Sequence, residues 1–178
     1  MRIISGTYKG KIINAPKALP VRPTTDFAKT GLFNILRNRY DFPKVDFLDL
    51  FCGTGNISFE MISEGVKSVL AVDANAGCVN FVSKTFKELN FENGKAIRTD
   101  VFKFFSDTNE KFDIIFADPP YDLKEAGKLP GVIIKNQLLR DGGVFILEHQ
   151  SKADHSMSDN FIEKRVYGNV GFSFFGIR

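Results

Sequence analysis

The tetrapeptide Asp118-Pro119-Pro120-Tyr121 combines residue types that could hold an amine for chemistry. Its two prolines fix φ and remove two N–H donors, so the loop presents carbonyl oxygens together with the Asp118 carboxylate. An amine on an aromatic ring is a poor nucleophile because its lone pair is delocalised. Acceptors that bind its two hydrogens favour a tetrahedral nitrogen, which can attack a methyl group in line. We therefore predict that Asp118 and Pro119 position the exocyclic amine of a nucleic-acid base for methyl transfer. Tyr121 is predicted to stack on this base after it has flipped out of its helix or loop.

A second segment carries the glycines of a ligand-binding loop. Gly53 and Gly55 allow the backbone to turn tightly and to approach a ligand with no side chain in between. A dinucleotide-binding loop would have a third glycine three residues later, where this chain has Ser58. The upstream acid, Asp49, would repel a pyrophosphate but attract the ammonium of a methionine group. The segment therefore predicts a site for S-adenosyl-L-methionine.

Two more acids follow apolar segments that we predict to be strands. Asp73 is placed to accept hydrogen bonds from ribose hydroxyls, and Asp100 from the adenine amino group, with Val101 against the ring. Each acid taken singly could instead cap the helix that follows it. Three acids at three successive strand ends suit a ligand with a cation, a diol and an amine. The predicted cofactor contacts are Asp49, Phe51, Gly53, Thr54, Gly55, Asp73, Asp100 and Val101.

These loops are positioned by an alternation of apolar strands and amphipathic helices that begins after Pro43. We predict strands at residues 45–51, 68–73, 95–99, 112–117 and 143–148, and helices at residues 56–63, 76–89, 101–106 and 132–139. Such an alternation predicts a mostly parallel sheet with helices on both faces. Residues 164–167 and 172–177 flank the turn Gly168-Asn169, which predicts a C-terminal antiparallel hairpin. The predicted fold class is α/β, with the strand plan of a class I S-adenosylmethionine-dependent methyltransferase and not of a dehydrogenase's Rossmann domain.

The first 25 residues have a different pattern. Residues 1–25 contain two glycines and three prolines around short apolar pairs, which predicts short strands joined by a turn. We interpret them as a basic β extension of a single domain whose main part, residues 26–178, is the methyltransferase domain. A helix is predicted next, capped by Thr25 or Asp26. Its predicted apolar stripe consists of Phe27, Leu32, Phe33, Ile35 and Leu36.

The N-terminal region is also the basic part of the chain. Residues 1–40 contain eight Lys and Arg against one acid, so they carry +7, and the net charge of +3 leaves −4 for the remainder. A basic end on a mildly acidic body is typical of a surface that faces nucleic-acid phosphates. A charged segment that is merely solvated would have the same composition.

The composition argues against several classes of protein. Cys52 and Cys78 are not spaced as a CxxC pair and nothing resembles a secretory signal, so we expect a reducing, cytoplasmic location. No apolar stretch approaches the roughly 20 residues of a membrane span. With only two histidines in the sequence, we expect no metal site. We also expect no membrane partner, and a monomer.

Several motifs spread along the chain belong together. They are Arg2-Ile3-Ile4-Ser5-Gly6, Lys9-Gly10, Arg22-Pro23-Thr24-Thr25-Asp26, Leu32-Phe33-Asn34-Ile35-Leu36, Phe47-Leu48-Asp49-Leu50-Phe51, Gly53-Thr54-Gly55 and Asp118-Pro119-Pro120-Tyr121. This set resembles the RsmD family, bacterial methyltransferases that modify the N2 amino group of a guanine in small-subunit (16S) ribosomal RNA. The resemblance covers the chain from Arg2 to its end, and the N-terminal motifs are its most specific part.

The resemblance implies a cofactor, a substrate and further site residues. The cofactor would be S-adenosyl-L-methionine, and the substrate would be 16S rRNA within a partly assembled small subunit. Arg22, Thr24 and Thr25 would line the mouth of the active site. Lys9 and Lys11, on the basic strands that precede them, would touch RNA.

The chain departs from the family's pattern at three positions. Phe27 and Lys29 stand where the family commonly has arginines, and Glu64 stands where the family usually has another. Each departure predicts a less basic surface towards RNA.

Two other functions stay open on the sequence. An N6-adenine methyltransferase of DNA or RNA uses the same Asp-Pro-Pro-Tyr tetrapeptide, and the motifs alone do not select guanine over adenine. A non-catalytic RNA-binding module could keep the fold, although drift would erode the glycines and the tetrapeptide first. The basic N-terminal segment, together with its Arg22-Pro23-Thr24-Thr25 resemblance to the RsmD family, favours the guanine of 16S rRNA.

Overall fold

The computed structural model of the chain describes residues 1–16, 19 and 24–177. Its helices are α1 Asp26–Arg37, α2 Asn56–Glu64, α3 Ala76–Glu88, α4 Val101–Asp107 and α5 Leu129–Lys135. Its strands are β1 Asp46–Leu50, β2 Ser68–Asp73, β3 Gly94–Arg98, β4 Phe112–Ala117, β5 Leu139–Gln150, β6 Phe161–Tyr167 and β7 Val170–Gly176. Short 3-10 helices lie at Phe42–Lys44 and Ala126–Lys128. None of these helices is long and apolar enough to cross a lipid bilayer, a finding limited to the described residues.

The strands form one sheet in the order β3-β2-β1-β4-β5-β7-β6. Strands β1 to β5 pair in parallel, while β7 runs antiparallel between β5 and β6. The order of strands reverses between β1 and β4, which is where open α/β sheets bind ligands at the carboxyl ends of their strands. The predicted fold class, a mostly parallel sheet completed by an antiparallel hairpin, is confirmed.

Helices cover both faces of the sheet because successive side chains of a strand point to opposite faces. Phe47 and Phe116 belong to the core cluster that includes residues of α1, α2 and α3. Leu48 and Ile115, one residue away on each strand, belong to the cluster that includes residues of α4 and α5. Every residue of β1 is buried, as expected for a central parallel strand.

Polar side chains begin three of the helices. Thr25 caps α1, Asn75 caps α3 and Asp100 caps α4. Of the two caps predicted for α1, Thr25 or Asp26, the one that forms is Thr25. Helix α2 has Gly55 as its N-cap and Gly65 as its C-cap, both in the left-handed conformation. The caps Gly55, Asn75 and Asp100 lie at the ends of the loops that follow β1, β2 and β3.

The helix predicted at residues 132–139 corresponds to α5, which lies earlier in the chain, at Leu129–Lys135. Pro130 occupies its first turn, where the missing N–H removes no helical hydrogen bond. Leu139 begins β5 and does not end the helix, because it pairs with Phe112 of β4. Pairing with a distant strand therefore decided the boundary that the local pattern placed wrongly.

The predicted apolar stripe of α1 is wrong at one position. Phe27 is 66% exposed, whereas the side chain of Lys29 is 1% exposed. Leu32, Phe33 and Leu36 are buried as predicted. Lys29 can be buried because its ammonium group has hydrogen-bond acceptors on neighbouring elements.

The N-terminal residues form a loop closed by a single antiparallel bridge, between Arg2 and Ile12. The predicted pair of short strands is therefore reduced to one pairing. Some backbone groups between the two bridge residues bond to each other, as the amide of Ile3 does to the carbonyl of Lys11 at 2.9 Å, while others bond to α2. The amide of Ile4, for example, donates to Oε1 of Glu60 at 2.7 Å. The extension is thus attached to the helix that follows the glycine loop.

Candidate active site

A cavity of about 770 Å³ opens at the carboxyl ends of the parallel strands. Its volume falls within the range of roughly 300–1,000 Å³ that small-molecule sites occupy. The predicted site residues that line it are Thr24, Thr25, Asp49, Phe51, Gly53, Thr54, Asp73, Asp100, Val101, Asp118, Pro119 and Tyr121. The fold therefore brings the glycine loop, the strand-end acids and the tetrapeptide to one space. Within the described ranges, no group of three or more His, Cys, Asp or Glu side chains could hold a metal ion.

Three of the predicted site residues that the structure describes, Gly55, Lys9 and Lys11, are not among those that line this cavity. Gly55 is the N-cap of α2, and Arg22 lies outside the described residues. Lys9 lines a separate cavity of about 370 Å³ on the N-terminal loop. The Nζ of Lys11 lies 5.8 Å from the centre of the Tyr8 ring. The two lysines are thus on the extension and away from the strand ends.

The glycine loop winds through three left-handed residues, Phe51, Gly53 and Gly55, with φ of 58°, 51° and 75°. For a residue other than glycine such a conformation costs on the order of 1–3 kcal/mol, so the surroundings must hold Phe51 there. A Cβ at Gly55 would lie 2.8 Å from a ring carbon of Phe59. Both space and conformation therefore require glycine at position 55. The tight winding brings the start of α2, with its free N–H groups, close to the cavity.

Asp49 is 2% exposed and accepts a hydrogen bond of 2.5 Å from Oγ of Ser58. Burial raises the pKa of the Asp49 carboxyl to about 7; the Ser58 hydrogen bond lowers it, and the carboxyls of Asp118 and Asp73 raise it further. A cation beside this carboxyl would favour its ionised form. The position thus fits the predicted contact with an ammonium group.

The other two strand-end acids bind backbone amides. Asp73 accepts from the amide of Gly53 at 2.9 Å and from that of Asn75 at 2.8 Å, so it joins the glycine loop to the start of α3. Oδ1 of Asp100 accepts from two amides of α4 at 2.9 and 3.0 Å, so the helix cap considered from the sequence is formed. These bonds leave each carboxylate with further lone pairs that can face a ligand.

Asp118 follows β4 and lines the cavity between the glycine loop and β5. Burial raises the pKa of its carboxyl to about 7. The carbonyl of Pro120 accepts from the amide of Leu123 at 2.9 Å, which turns the loop back. Tyr121 is 60% exposed. A carboxyl with a pKa near neutrality can accept a hydrogen bond and later take up a proton.

Glu148 is a site residue that the sequence reasoning missed. It lies near the end of β5, is 4% exposed and lines the same cavity. Oγ1 of Thr24 donates to its Oε2 at 2.8 Å. Burial, followed by the charge of Asp118, raises the pKa of Glu148 to about 8, while the Thr24 hydrogen bond lowers it. Its signal in the sequence was an acid at the end of the predicted strand 143–148. The other four predicted strands likewise have an acid at or close to their ends, namely Asp49, Asp73, Asp100 and Asp118.

A buried ion pair attaches the N-terminal residues to the start of α2. The Nζ of Lys29 donates to Oε1 of Glu60 at 2.8 Å, to Oδ1 of Asn56 at 3.0 Å and to the carbonyl of Arg2 at 2.8 Å. Nδ2 of Asn56 in turn donates to the carbonyl of Thr24 at 2.9 Å. Thr24 is thereby held to the first residue after the glycine loop.

The departures from the RsmD motifs have structural consequences. The expectation that Lys29 makes the surface towards RNA less basic is wrong, because this side chain is buried in the ion pair. Glu64 pairs with Arg37 at 2.6 Å. Phe27 packs edge-on against Tyr167, with ring centres 5.8 Å apart.

Comparison with known proteins identifies the family. The model of the family described as conserved hypothetical protein 95 matches residues 1–176. The ribosomal RNA small subunit methyltransferase D of Buchnera aphidicola subsp. Baizongia pistaciae is 28% identical, over 93% of this chain and 85% of that protein. The putative rRNA methyltransferase YlbH of Bacillus subtilis is 29% identical, over 98% of both chains. The solved structure of hypothetical protein TTHA0928 from Thermus thermophilus is 26% identical, with a TM-score of 0.86 over 99% of both chains. The chain belongs to the conserved hypothetical protein 95 family, the RsmD family whose motifs it carries.

Proposed function

We propose that this protein transfers a methyl group from S-adenosyl-L-methionine to the N2 amino group of a guanine in 16S ribosomal RNA. One observation carries the proposal: Asp118 lines the same cavity as Asp49 and the glycine loop. An amine held at Asp118 therefore faces a cofactor held at Asp49 and the glycine loop. Membership of the RsmD family and the names of the Buchnera and Bacillus relatives support ribosomal RNA as the substrate.

The hydrogen-bond acceptors that line the cavity fit S-adenosyl-L-methionine. This cofactor supplies an electrophilic methyl group when it is bound. Asp49 receives the ammonium of the methionine group. Asp73 accepts from the ribose hydroxyls with the lone pairs that its backbone bonds leave, and Asp100 accepts from the adenine amino group. Val101 packs against the adenine ring. Phe51 and the loop glycines shape the backbone around the methionine group.

Asp118 and the carbonyl of Pro119 accept hydrogen bonds from the guanine amine. They draw its nitrogen towards a tetrahedral geometry, so that the lone pair faces the methyl group. A nitrogen that receives the methyl group supplied by the cofactor would carry one proton too many. Asp118 takes this proton, which a pKa of about 7 allows at neutral pH. Tyr121, on the exposed side of the cavity, stacks on the base.

The N-terminal extension supplies the contacts with RNA. The residues proposed for these contacts are Lys9, Lys11, Arg22, Thr24 and Thr25. Residues 1–25 serve as an extension of the same domain as residues 26–178, because the ion pair of Lys29 and Glu60 joins them through buried bonds. The substrate is the partly assembled small subunit. The location is cytoplasmic, where ribosomal subunits are built. A site whose described lining comes from a single chain suits a monomeric enzyme.

Analysis of the methylated nucleoside tests this function. The purified protein is incubated with methyl-labelled S-adenosyl-L-methionine and either 16S rRNA or small-subunit particles that lack the modification, and the RNA is digested to nucleosides. The expected product is N2-methylguanosine, and more of it from particles than from free RNA. N6-methyladenosine as the sole product would favour the adenine alternative. No methylated nucleoside, with no cofactor binding by calorimetry, would contradict an enzymatic function.

A further inference from the structure

Glu148 lies beside Asp118 on the neighbouring strand. The last paired residues of the parallel strands β4 and β5 are Ala117 and Leu147, so Asp118 and Glu148 are the next residues in register. Neighbouring strands are about 4.8 Å apart. Both residues line the cavity. Two carboxyl groups are therefore presented side by side to one ligand.

Within the described residues, only one oxygen of the Glu148 carboxyl has a hydrogen-bond partner. Oε2 accepts from Thr24 at 2.8 Å, and the described residues offer no hydrogen-bond donor to Oε1. The residue is 4% exposed, yet no side-chain oxygen in the described part of the chain is both fully buried and without a partner. With respect to the described residues, Oε1 is therefore accessible from the cavity, in a position that the Thr24 hydrogen bond fixes.

A carboxyl group that is buried in this way needs donors from a ligand. Neither the contacts proposed for the cofactor nor those proposed for the amine involve Glu148. Its burial without a donor to Oε1 disfavours the ionised form. A ligand that brings an N–H group to Oε1 offsets this cost and stabilises the carboxylate.

Guanine carries such a donor next to its reactive amine. On one edge of the base, the ring N1–H lies beside the exocyclic N2 amine, and flipped bases are read on this edge. Adenine has its amine beside an N1 that carries no hydrogen and is itself an acceptor. When the amine lies at Asp118 and the base is oriented with N1 towards β5, the ring N1 falls to Glu148. A carboxylate there accepts from guanine and repels the lone pair of adenine.

We infer that Glu148 selects guanine, by accepting its N1–H while Asp118 holds the N2 amine. The inference rests on the proposed methyl transfer to guanine and names the group that recognises the base. Thr24 is a positioning residue, because it holds Oε2 and leaves Oε1 to the base. Sites built to hydrogen-bond a substrate group reject analogues that lack it by up to about 10⁴–10⁵-fold.

A modified base separates recognition from reactivity. 2-Aminopurine keeps the amine at C2 but has no hydrogen on N1. Two RNA substrates are prepared that differ only in having guanine or 2-aminopurine at the methylated position, and kcat/KM is measured for wild type and for Glu148→Gln. The wild type is expected to prefer guanine by about a hundredfold or more. In Glu148→Gln this ratio is expected to fall by about tenfold or more, because the amide can donate to N1 of 2-aminopurine.

Control variants distinguish recognition from a structural effect. Glu110→Gln removes an exposed carboxylate outside the cavity and is expected to leave the ratio unchanged. Glu148→Asp keeps a carboxylate and is expected to keep the preference for guanine at a lower rate. Equal losses on both RNAs in Glu148→Gln, with an unchanged ratio, would overturn the inference. If Glu148→Gln does not fold, Thr24→Val replaces it: loss of the bond to Oε2 is expected to lower the same ratio, and an unchanged ratio would overturn the inference.

The failure of this inference differs from failure of the proposed function. A wild-type protein that methylates no guanine would contradict the function itself. A wild-type protein that forms N2-methylguanosine but treats guanine and 2-aminopurine alike would contradict only the role of Glu148.

Discussion

The Nζ of Lys29 lies 2.8 Å from Oε1 of Glu60, and both side chains are almost completely buried. Asn56 and the carbonyl of Arg2 complete the hydrogen bonds of the ammonium group. The pair therefore joins three separate parts of the chain: the N-terminal loop, α1 and α2. Hydrogen bonds to protein groups replace the hydration that the two charges lose on burial.

Replacing Lys29 by Met removes the charge that Glu60 faces. We expect the free energy of unfolding to fall by about 3–5 kcal/mol, because one partner of a buried pair is left uncompensated. Urea denaturation followed by circular dichroism measures this loss. Lys84→Met is the matched control: Lys84 is exposed, lies 3.7 Å from Glu88, and its loss should cost less than about 1 kcal/mol. Equal losses in the two variants would contradict the importance of the buried pair.

Replacing Asp118 by Ala removes the proposed acceptor of the amine. We expect kcat to fall by about a hundredfold or more, because general acid–base and positioning effects have this size. The affinity for S-adenosyl-L-methionine, measured by calorimetry, should stay nearly the same. Asp122→Ala, an exposed acid of the same loop, serves as the control. A tenfold loss of cofactor affinity, about 1.4 kcal/mol, would instead assign Asp118 to the cofactor pocket.

The stability of the cofactor-free protein should depend on pH near neutrality. The pKa values of Asp49 and Asp118 are raised to about 7 and that of Glu148 to about 8, mainly by burial. The folded protein therefore keeps protons that the unfolded chain releases near pH 4. This contribution to stability is fully present below the unfolded pKa and is lost as pH rises through 7 to 8, by up to about 1.4 kcal/mol per pH unit for each group.

Urea denaturation at several pH values checks this slope. Between about pH 6.5 and 8.5, unfolding should require less urea as pH rises, and Asp49→Asn should make the slope smaller. His149 and His155 oppose this slope near pH 6.5, because burial lowers the pKa of both imidazoles in the folded protein while the unfolded imidazoles still bind protons there. Their opposing contribution fades above about pH 7.5, where unfolded imidazoles are neutral as well. A flat profile would contradict the raised carboxyl pKa values.

The double variant Lys9→Ala, Lys11→Ala should weaken the binding of RNA. If both lysines contact phosphates, the slope of log K against log salt should decrease by about 1–2. Lys103→Ala combined with Lys135→Ala is the control, with the same change of charge on exposed residues of α4 and α5, on the opposite face of the sheet. Fluorescence anisotropy over a series of salt concentrations measures both. A slope that stays the same in the first pair would remove these lysines from the interface.

Local sequence patterns were sufficient for the central strands. β2 and β4 have the bounds predicted for them, since each apolar run starts and stops at a change of residue type that a buried parallel strand requires. The start of β5 was not predictable in this way. Leu139 is apolar and suits a helix or a strand equally, and only its pairing with Phe112 makes it part of the sheet.

The same distinction holds for the site. Asp49, Asp73 and Asp118 could be placed together because a parallel sheet gathers its strand ends at one edge. Glu148 and Lys29 depend on partners far away in the sequence. Thr24 is 124 residues from its partner Glu148, and Glu60 is 31 residues from its partner Lys29. From the local sequence alone, an isolated charged side chain is predicted to be exposed. Only the fold shows which distant groups bind it.

The antiparallel direction of β7 brings a turn to the edge of the sheet where the cavity lies. Val170, the first residue of β7, pairs with Gln150 near the end of β5, and Asn169 and Val170 both line the cavity. The amide of Ser151 donates to the carbonyl of Asn169 at 2.9 Å. A hairpin can gain or lose residues at its turn while its paired strands stay in place. The entrance to the cavity can therefore be widened, narrowed or reshaped in evolution or by design without repacking the core.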